Sequence, residues 1–323
     1  MPELPIQFAL EPIALPRHQM IAFAERFDPQ PFHLDEAAAA GTLLGGLSAS
    51  AWYVCAKISD ALRAELVRRR LKAEIAGAEQ IILFSPIRAD DVISASVRVE
   101  PLKACDCGGS GTAVSVDVVR SSGDCVARMA LNFVMDDIAG MAPEGATCCS
   151  FREGRKARHA VRHRIHDIPF FEQIEIGDEI DLGRYTFGPT EIEEFLIQTS
   201  DPGAGQRRDL PSPCAPPWHV PAAWMQCMVK HYDATTARHK AKMERYPRLG
   251  PAAGFKQLRW QRPIASGEVI TFRGWAERKL IIPSQTDWGL LVVGEEGIDC
   301  DGNTIVSFYP QMLLERSQPL QAN

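Results

Sequence analysis

Residues 20–52 read MIAFAERFDPQPFHLDEAAAAGTLLGGLSASAW. MIAFAERF carries apolar residues at helical spacing and stops at Asp28-Pro29. That pattern predicts an amphipathic helix closed by the proline. Asp28 stands at the helix end, and His33 follows five residues later across Pro29 and Pro31. Two prolines fix φ and stiffen the bridge. A stiff loop can aim a carboxylate and an imidazole at one point. Such a pair around one water can take a proton and return one, which is general acid–base work. Taken alone, Asp-Pro also reads as a plain turn, and His33 as a hydrogen-bonded loop histidine.

Next along the chain, Leu43-Leu44-Gly45-Gly46-Leu47 enters a longer apolar helix, predicted from about Leu47 to Leu66, with Ser48 and Ser50 marking its start. Glycines there let backbone amides approach a ligand. The helix start offers free N–H groups and a positive dipole end. Both suit a developing oxyanion.

Farther out, the same form returns. TEIEEFLIQTSDPG (190–203) matches the first helix and its Asp-Pro stop, with Asp201 displaced from Asp28 by 173 positions. HVPAAWMQCMVKHYDA (219–234) matches LSASAWYVCAKISDAL (47–62), and Trp224 lies 172 after Trp52. RPIASGEVITFRGWAE (262–277) matches SPIRADDVISASVRVE (85–100), with Pro263 lying 177 after Pro86. CDGNTIVSFYPQMLL (300–314) matches SSGDCVARMALNFVM (121–135), with Gly302 lying 179 after Gly123. Four anchors in order with a slowly drifting offset indicate a duplicated unit.

Each unit reads as a short helix, a Pro- or Gly-rich loop, a longer helix and then strands. The second long helix is expected from about Val220 to Thr235, with Pro221 in its first turn. VISASVRVE, TAVSVDVV and VITFRGWAE alternate and are β-branched, as half-buried strands are. Turn residues at 89–91, 122–124, 266–268 and 301–303 separate them. A long helix followed by successive hairpins implies an α+β fold with an antiparallel sheet. The expected organisation is a first unit over residues 1–141, a basic connector over 142–167 and a second unit over 168–323. The connector holds FREGRKARHAVRHRIH (151–166). It reads as a solvated linker, a strip near a ligand's phosphates, or a contact for acidic protein.

Composition narrows the class. The 323 residues are 46% hydrophobic and 24% charged, enough for a sizeable core. Lys and Arg number 35 against 41 Asp and Glu, so the net charge of −6 argues against charge-driven nucleic-acid binding. No 18-residue apolar run occurs and the first residues carry no secretory pattern, so a cytoplasmic, non-membrane protein is expected. The nine cysteines are odd in number and form no C-x-x-C pair, which predicts reduced, mostly buried thiols.

In FAERFDPQPFHLDEAAA (23–39) followed by GGLSASAW (45–52), the chain resembles the MaoC-like dehydratase family, which includes the (R)-specific enoyl-CoA hydratases. That family's motif runs aromatic-Ala, Asp-x-Asn-Pro-x-His, an alanine-rich stretch and a glycine at the helix entry. The resemblance implies a tandem (double) hotdog, each copy an antiparallel sheet wrapped around a long central helix. It implies reversible hydration of a 2-enoyl thioester, with Asp28 and His33 as the catalytic pair and the Gly46 amide as oxyanion hole. It implies no metal or redox cofactor, with coenzyme A as the handle of a small-molecule acyl substrate. Two copies in one chain mimic the usual hotdog dimer, so a monomer or a homodimer is expected. Gln30 stands where the family often has Asn, and Phe27 where a small residue is common. In the second copy Gln206 occupies the position of His33, and glutamine neither accepts nor gives a proton near neutral pH. That copy reads as degenerate, making room for a bulky acyl chain.

His219 near the second long helix reads as structural, as pocket lining or as a participant in catalysis. Five of the six tryptophans fall at 218, 224, 260, 275 and 288, as core or as acyl-pocket lining. Arg68-Arg69-Arg70 reads as a solvated helix end or a phosphate contact. The rival functions are a hotdog acyl-CoA thioesterase and a non-catalytic acyl-CoA-binding subunit.

Overall fold

The structure, a computed structural model, describes residues 5–101, 112–136, 163–200 and 214–320. Helix α1 spans Arg17–Phe27 and buries Met20, Phe23, Ala24 and Phe27. It ends at Asp28, whose N–H donates to the Ala24 carbonyl at 2.9 Å. The segment after it is not a loop. Pro31 opens a single helical turn, α2 (Pro31–Leu34), where its missing N–H leaves no bond unmade. Helix α3 (Glu36–Ala40) follows, capped by the Asp35 carboxylate, which accepts from Ala38 N–H at 2.7 Å.

The first long helix, α4, runs Ala51–Arg68, starting four residues later than expected. Ser50 is its N-cap, accepting from Trp52 N–H at 3.3 Å. Ser48 is drawn out of the helix by an isolated antiparallel bridge to Arg88. In the second half, α5 spans Pro189–Thr199 and α6 spans His219–Ala241, beyond the predicted limit of Thr235.

Strands form where alternation predicts them: β4 (Val92–Pro101), β5 (Thr112–Arg120) and β10 (Val269–Ile281). The short β1 (Ile6–Ala9) and β2 (Ile13–Ala14) pair with β4. Beside these lie β3 (Lys72–Leu83), β6 (Cys125–Asp136), β7 (Arg164–Ile165), β8 (Glu179–Thr186), β9 (Leu249–Trp260), β11 (Trp288–Ile298) and β12 (Thr304–Glu315). The order across the sheet is β1-β4-β5-β6-β3-β9-β12-β11-β10-β8-β7. Among the described residues only β7 and β8 run parallel. The halves join through β3 and β9, in register from Gly77↔Arg259 to Ile82↔Gly254. A Cβ at Gly254 would fall 2.1 Å from the Ile81 carbonyl, so this seam closes only around a glycine.

One hydrophobic core runs through both halves, joining Phe23, Phe27, Trp52 and Tyr53 to Phe195, Trp224, Phe272 and Phe308. Phe195 of α5 packs edge-on against Phe23 and Phe27 of α1 at 5.8 and 5.2 Å. The Arg26 guanidinium pairs with Glu194 at 2.6 Å across the same contact. Trp218, Trp224, Trp275 and Trp288 are buried. Arg69 pairs with Glu65 at 2.6 Å on a largely exposed α4 terminus, as a solvated helix end does. Cys55, Cys125, Cys214, Cys227 and Cys300 are free thiols, and Cys55 and Cys227 are buried. Most of the basic connector lies outside the described residues. Of its end, Arg164 pairs with Glu179 at 3.5 Å and His163 with Asp178 at 3.2 Å. No helix among the described residues is long and apolar enough to cross a membrane.

Candidate active site

The end of α1 and the turn of α2 bring Asp28 and His33 together. His33 Nε2 lies 3.3 Å from Asp28 Oδ2, and the two residues are 6% and 2% exposed. His33 Nδ1 lies 2.7 Å from the Ser48 carbonyl. A carbonyl oxygen only accepts, so Nδ1 carries the hydrogen. Nε2 then bears a hydrogen only in the imidazolium form. Burial alone would raise the pKa of Asp28. Electrostatic attraction to the His33 ring, and hydrogen bonds from His33, Ser50 and Gln30, outweigh burial and hold the carboxyl below its ordinary range. Gln30, where the family often has Asn, donates from Nε2 to Asp28 Oδ1 at 2.8 Å and also reaches Met225 Sδ at 3.7 Å. One amide therefore ties the pair to α6 of the other half. Gln226 of α6 adds a bond from Nε2 to the Arg26 carbonyl.

The pair opens into a cavity of about 270 Å³. Its walls come from both halves. The first contributes Phe32, Leu43, Leu44, Trp52 and residues 83–87; the second contributes Trp224, Met225, residues 251–255, Pro310, Met312 and Leu313. Exposure locates its mouth and floor. Leu43 and Phe84 are 46% and 50% exposed, whereas Trp52, Trp224 and Phe255 are buried. Trp52 stacks on Phe255 at 4.7 Å and meets Trp224 edge-on at 6.1 Å. Among the lining residues the only ionisable side chains are Asp28 and His33.

Gly46 is not among the lining residues. Its carbonyl accepts from Arg88 Nη1 at 2.6 Å, five residues ahead of the first residue of α4. The residue that both begins α4 and lines the cavity is Ala51. Its N–H is one of those at a helix start without an intrahelical acceptor, and the positive dipole end lies behind it. The sequence places the helix start at about Leu47, marked by Ser48 and Ser50, and the oxyanion amide at Gly46. The signal that locates Ala51 is Ser50, an N-cap serine.

His219 lies apart from the cavity lining and is fully buried. Its ring stacks on Phe195 at 4.7 Å, and Nε2 shares a 3.0 Å hydrogen bond with the Tyr185 hydroxyl. Burial, aided by the Arg26 charge, pushes its pKa down to about 3. A neutral histidine enclosed by Phe27, Tyr185, Phe187 and Phe195 is a structural one. Asp201 and Gln206 lie outside the described residues. No group of His, Cys, Asp and Glu among the described residues is arranged to hold a metal ion.

No protein-family model matches the sequence, and no curated protein matches it. Solved structures do. A protein described as a MaoC domain dehydratase from Chloroflexus aurantiacus superposes with a TM-score of 0.68 at 13% identity, over 97% of this chain and 96% of that one. A MaoC-like dehydratase gives 0.64 at 15% identity, over 96% and 98%. A conserved Mycobacterium tuberculosis protein with a double hotdog fold gives 0.60 at 11% identity, over 97% and 96%. The chain thus shares the double hotdog fold of MaoC-like dehydratases across nearly its whole length.

Proposed function

We propose that the chain reversibly hydrates a 2-enoyl thioester of coenzyme A to the 3-hydroxyacyl thioester. The observation that carries this reading is the buried Asp28–His33 pair, at the inner end of an apolar cavity onto which a helix N-terminus opens. The Asp28 carboxylate takes a proton from water as its oxygen bonds to Cβ. The His33 imidazolium gives its Nε2 proton to Cα. Electron density moves onto the thioester oxygen in between, where the Ala51 N–H donates to it. Asp28 is left protonated and His33 neutral. At 3.3 Å apart, the two restore the starting state by one proton transfer. The step is redox-neutral and uses only side chains and a backbone amide.

The lining supports an uncharged acyl chain. A carboxylate on the chain would lose its water among Trp52, Trp224, Met225 and Phe255 and meet no cation in the lining other than His33, which Asp28 already pairs. Carboxylated enoyl-CoAs are therefore expected to show a roughly 100-fold lower kcat/KM than uncharged ones of equal length. The test follows the enoyl-thioester absorbance across straight, branched and dicarboxylic enoyl-CoAs, beside a free-thiol assay. Loss of the band without thiol release supports hydration. Thiol release places the chain among thioesterases. Saturable binding of acyl-CoA without turnover of any enoyl ester leaves a binding protein. A preference for the dicarboxylic esters would overturn the uncharged-chain reading.

A further inference from the structure

We propose that Arg88 is a positioning residue for His33, holding the glycine loop so that the Ser48 carbonyl receives the Nδ1 proton; its effect on turnover rests on the reaction proposed above. Arg88 sits in the turn between β3 and β4. Its Nη1 donates to the Gly46 carbonyl at 2.6 Å and reaches the Leu47 carbonyl at 3.5 Å, while Nη2 donates to the Leu44 carbonyl. A planar fork with several donors can hold several carbonyls at once, which an ammonium cannot do.

The loop is shaped for this contact. Gly46 has φ +154°, and a Cβ on it would lie 3.2 Å from both Arg88 Nη1 and Glu36 Oε1. The glycine turns its carbonyl to the guanidinium and leaves room for it. Glu36 holds the next peptide, accepting from Leu47 N–H at 3.2 Å. Ser48 N–H donates to the Phe32 carbonyl at 3.3 Å, and Ala49 N–H to the Ile87 carbonyl at 2.8 Å. The Ser48 carbonyl is thus fixed through its neighbours on both sides.

The second half supplies an internal comparison. Its turn, Pro263-Ile264-Ala265-Ser266-Gly267-Glu268, repeats the backbone pattern of Pro86-Ile87-Arg88-Ala89-Asp90-Asp91. Cys214 bridges Ala265 as Ser48 bridges Arg88. Ala215 N–H donates to the Ile264 carbonyl at 2.8 Å, the same length as Ala49 to Ile87. Ala265 N–H is capped by Glu268 at 3.2 Å, as Arg88 N–H is by Asp91 at 2.8 Å. The turn therefore builds itself with alanine in place of arginine. The half with the histidine has the arginine. The half with Gln206 at the aligned position has Ala265.

Arg88→Ala copies the second half's residue into the first. The backbone bridge of Ser48 and the Ala49–Ile87 bond remain, but residues 44–47 lose the guanidinium that holds their carbonyls, and the Ser48 carbonyl holds Nδ1–H less firmly. The imidazolium then loses the firm acceptor that orients its Nε2–H for transfer to Cα, and neutral His33 can carry its hydrogen on Nε2, facing the Asp28 carboxylate 3.3 Å away. The expected result is a fall in kcat on the order of 100-fold, with KM little changed. Guanidinium added to the buffer should restore part of it. Arg88→Lys should fall between the two. Nitrogen-15 NMR of the substrate-free protein, followed upward in pH until His33 is neutral, should show the neutral ring moving from the Nδ1–H to the Nε2–H form in Arg88→Ala. That spectrum needs no substrate. A shifted tautomer in a protein that hydrates nothing keeps the positioning role and removes the reaction. An unchanged tautomer, or full kcat, overturns the proposal. Failure of both variants to fold would also overturn it, making Arg88 a strut of the fold.

Discussion

Asp28→Asn is expected to lower the hydration rate by about 1,000-fold while leaving the fold intact. Asparagine keeps the shape of the side chain and can still meet Gln30, but it takes no proton from water. A positioned acid or base contributes roughly 100- to 10,000-fold. His33→Ala should fall as far, because it removes the donor to Cα. The double variant should be little worse than the poorer single one, since the two residues move protons as a unit. Single-turnover rates of the four proteins check this. Full activity in Asp28→Asn would remove the pair from the mechanism. The acid limb of kcat/KM should lie below that of an ordinary aspartate, following the direction of the Asp28 shift.

Glu295→Gln should stabilise the protein at alkaline pH. Glu295 on β11 is 3% exposed, and its Oε2 has no hydrogen-bond partner among the described residues. Room for the carboxyl exists because Gly274 lies opposite; a Cβ there would fall 2.6 Å from Glu295 Oε1. Burial pushes its pKa up to about 8, partly opposed by the Trp224 indole and reinforced by the Glu296 charge. Between its ordinary value of 4.5 and about 8, the folded chain binds more protons here than the unfolded chain. Stability from this group is therefore complete below 4.5 and is lost as pH rises to about 8. Each unit is worth about 1.4 kcal/mol, so the whole loss is a few kcal/mol. Glutamine removes the slope. Urea unfolding at pH 5 and pH 9 should show a gain for the variant that is larger at pH 9. An equal difference at both would show that Glu295 does not titrate with folding. His219 acts in the opposite sense. Its depressed pKa costs stability as pH falls below 6.5 toward about 3.

How far the chain could be read before folding depended on where the determining contacts lie. The meeting of Asp28 and His33 was legible because a helix stop and two prolines fix their geometry within six residues. Helices α1, α4 and α6 were legible from periodicity, and β4, β5 and β10 from alternation. The central strands β3 and β9 were not. The pairing of β3 slips between Ile75 and Gly77 and again between Ala78 and Gln80, which breaks the alternation that marks a strand. The far wall of the cavity was also hidden. Met225, Gly254 and Met312 reach it only through the β3–β9 seam and the packing of α6. Gly46 also has a contact that its sequence neighbours do not reveal. It serves Arg88, which lies 42 residues away.

The composite cavity also changes what a substitution can do. In a pair of identical subunits, symmetry prints every change twice, once in each site. Here one half carries the Asp28–His33 pair and the other lends Trp224, Met225 and Phe255 to the same cavity. A change at Met225 reshapes a single wall and leaves no matching change beside Tyr53. Joining two halves in one chain thus frees chemistry and shape to vary separately. The half with Asp28 and His33 can stay constant while its neighbour changes the shape of the cavity.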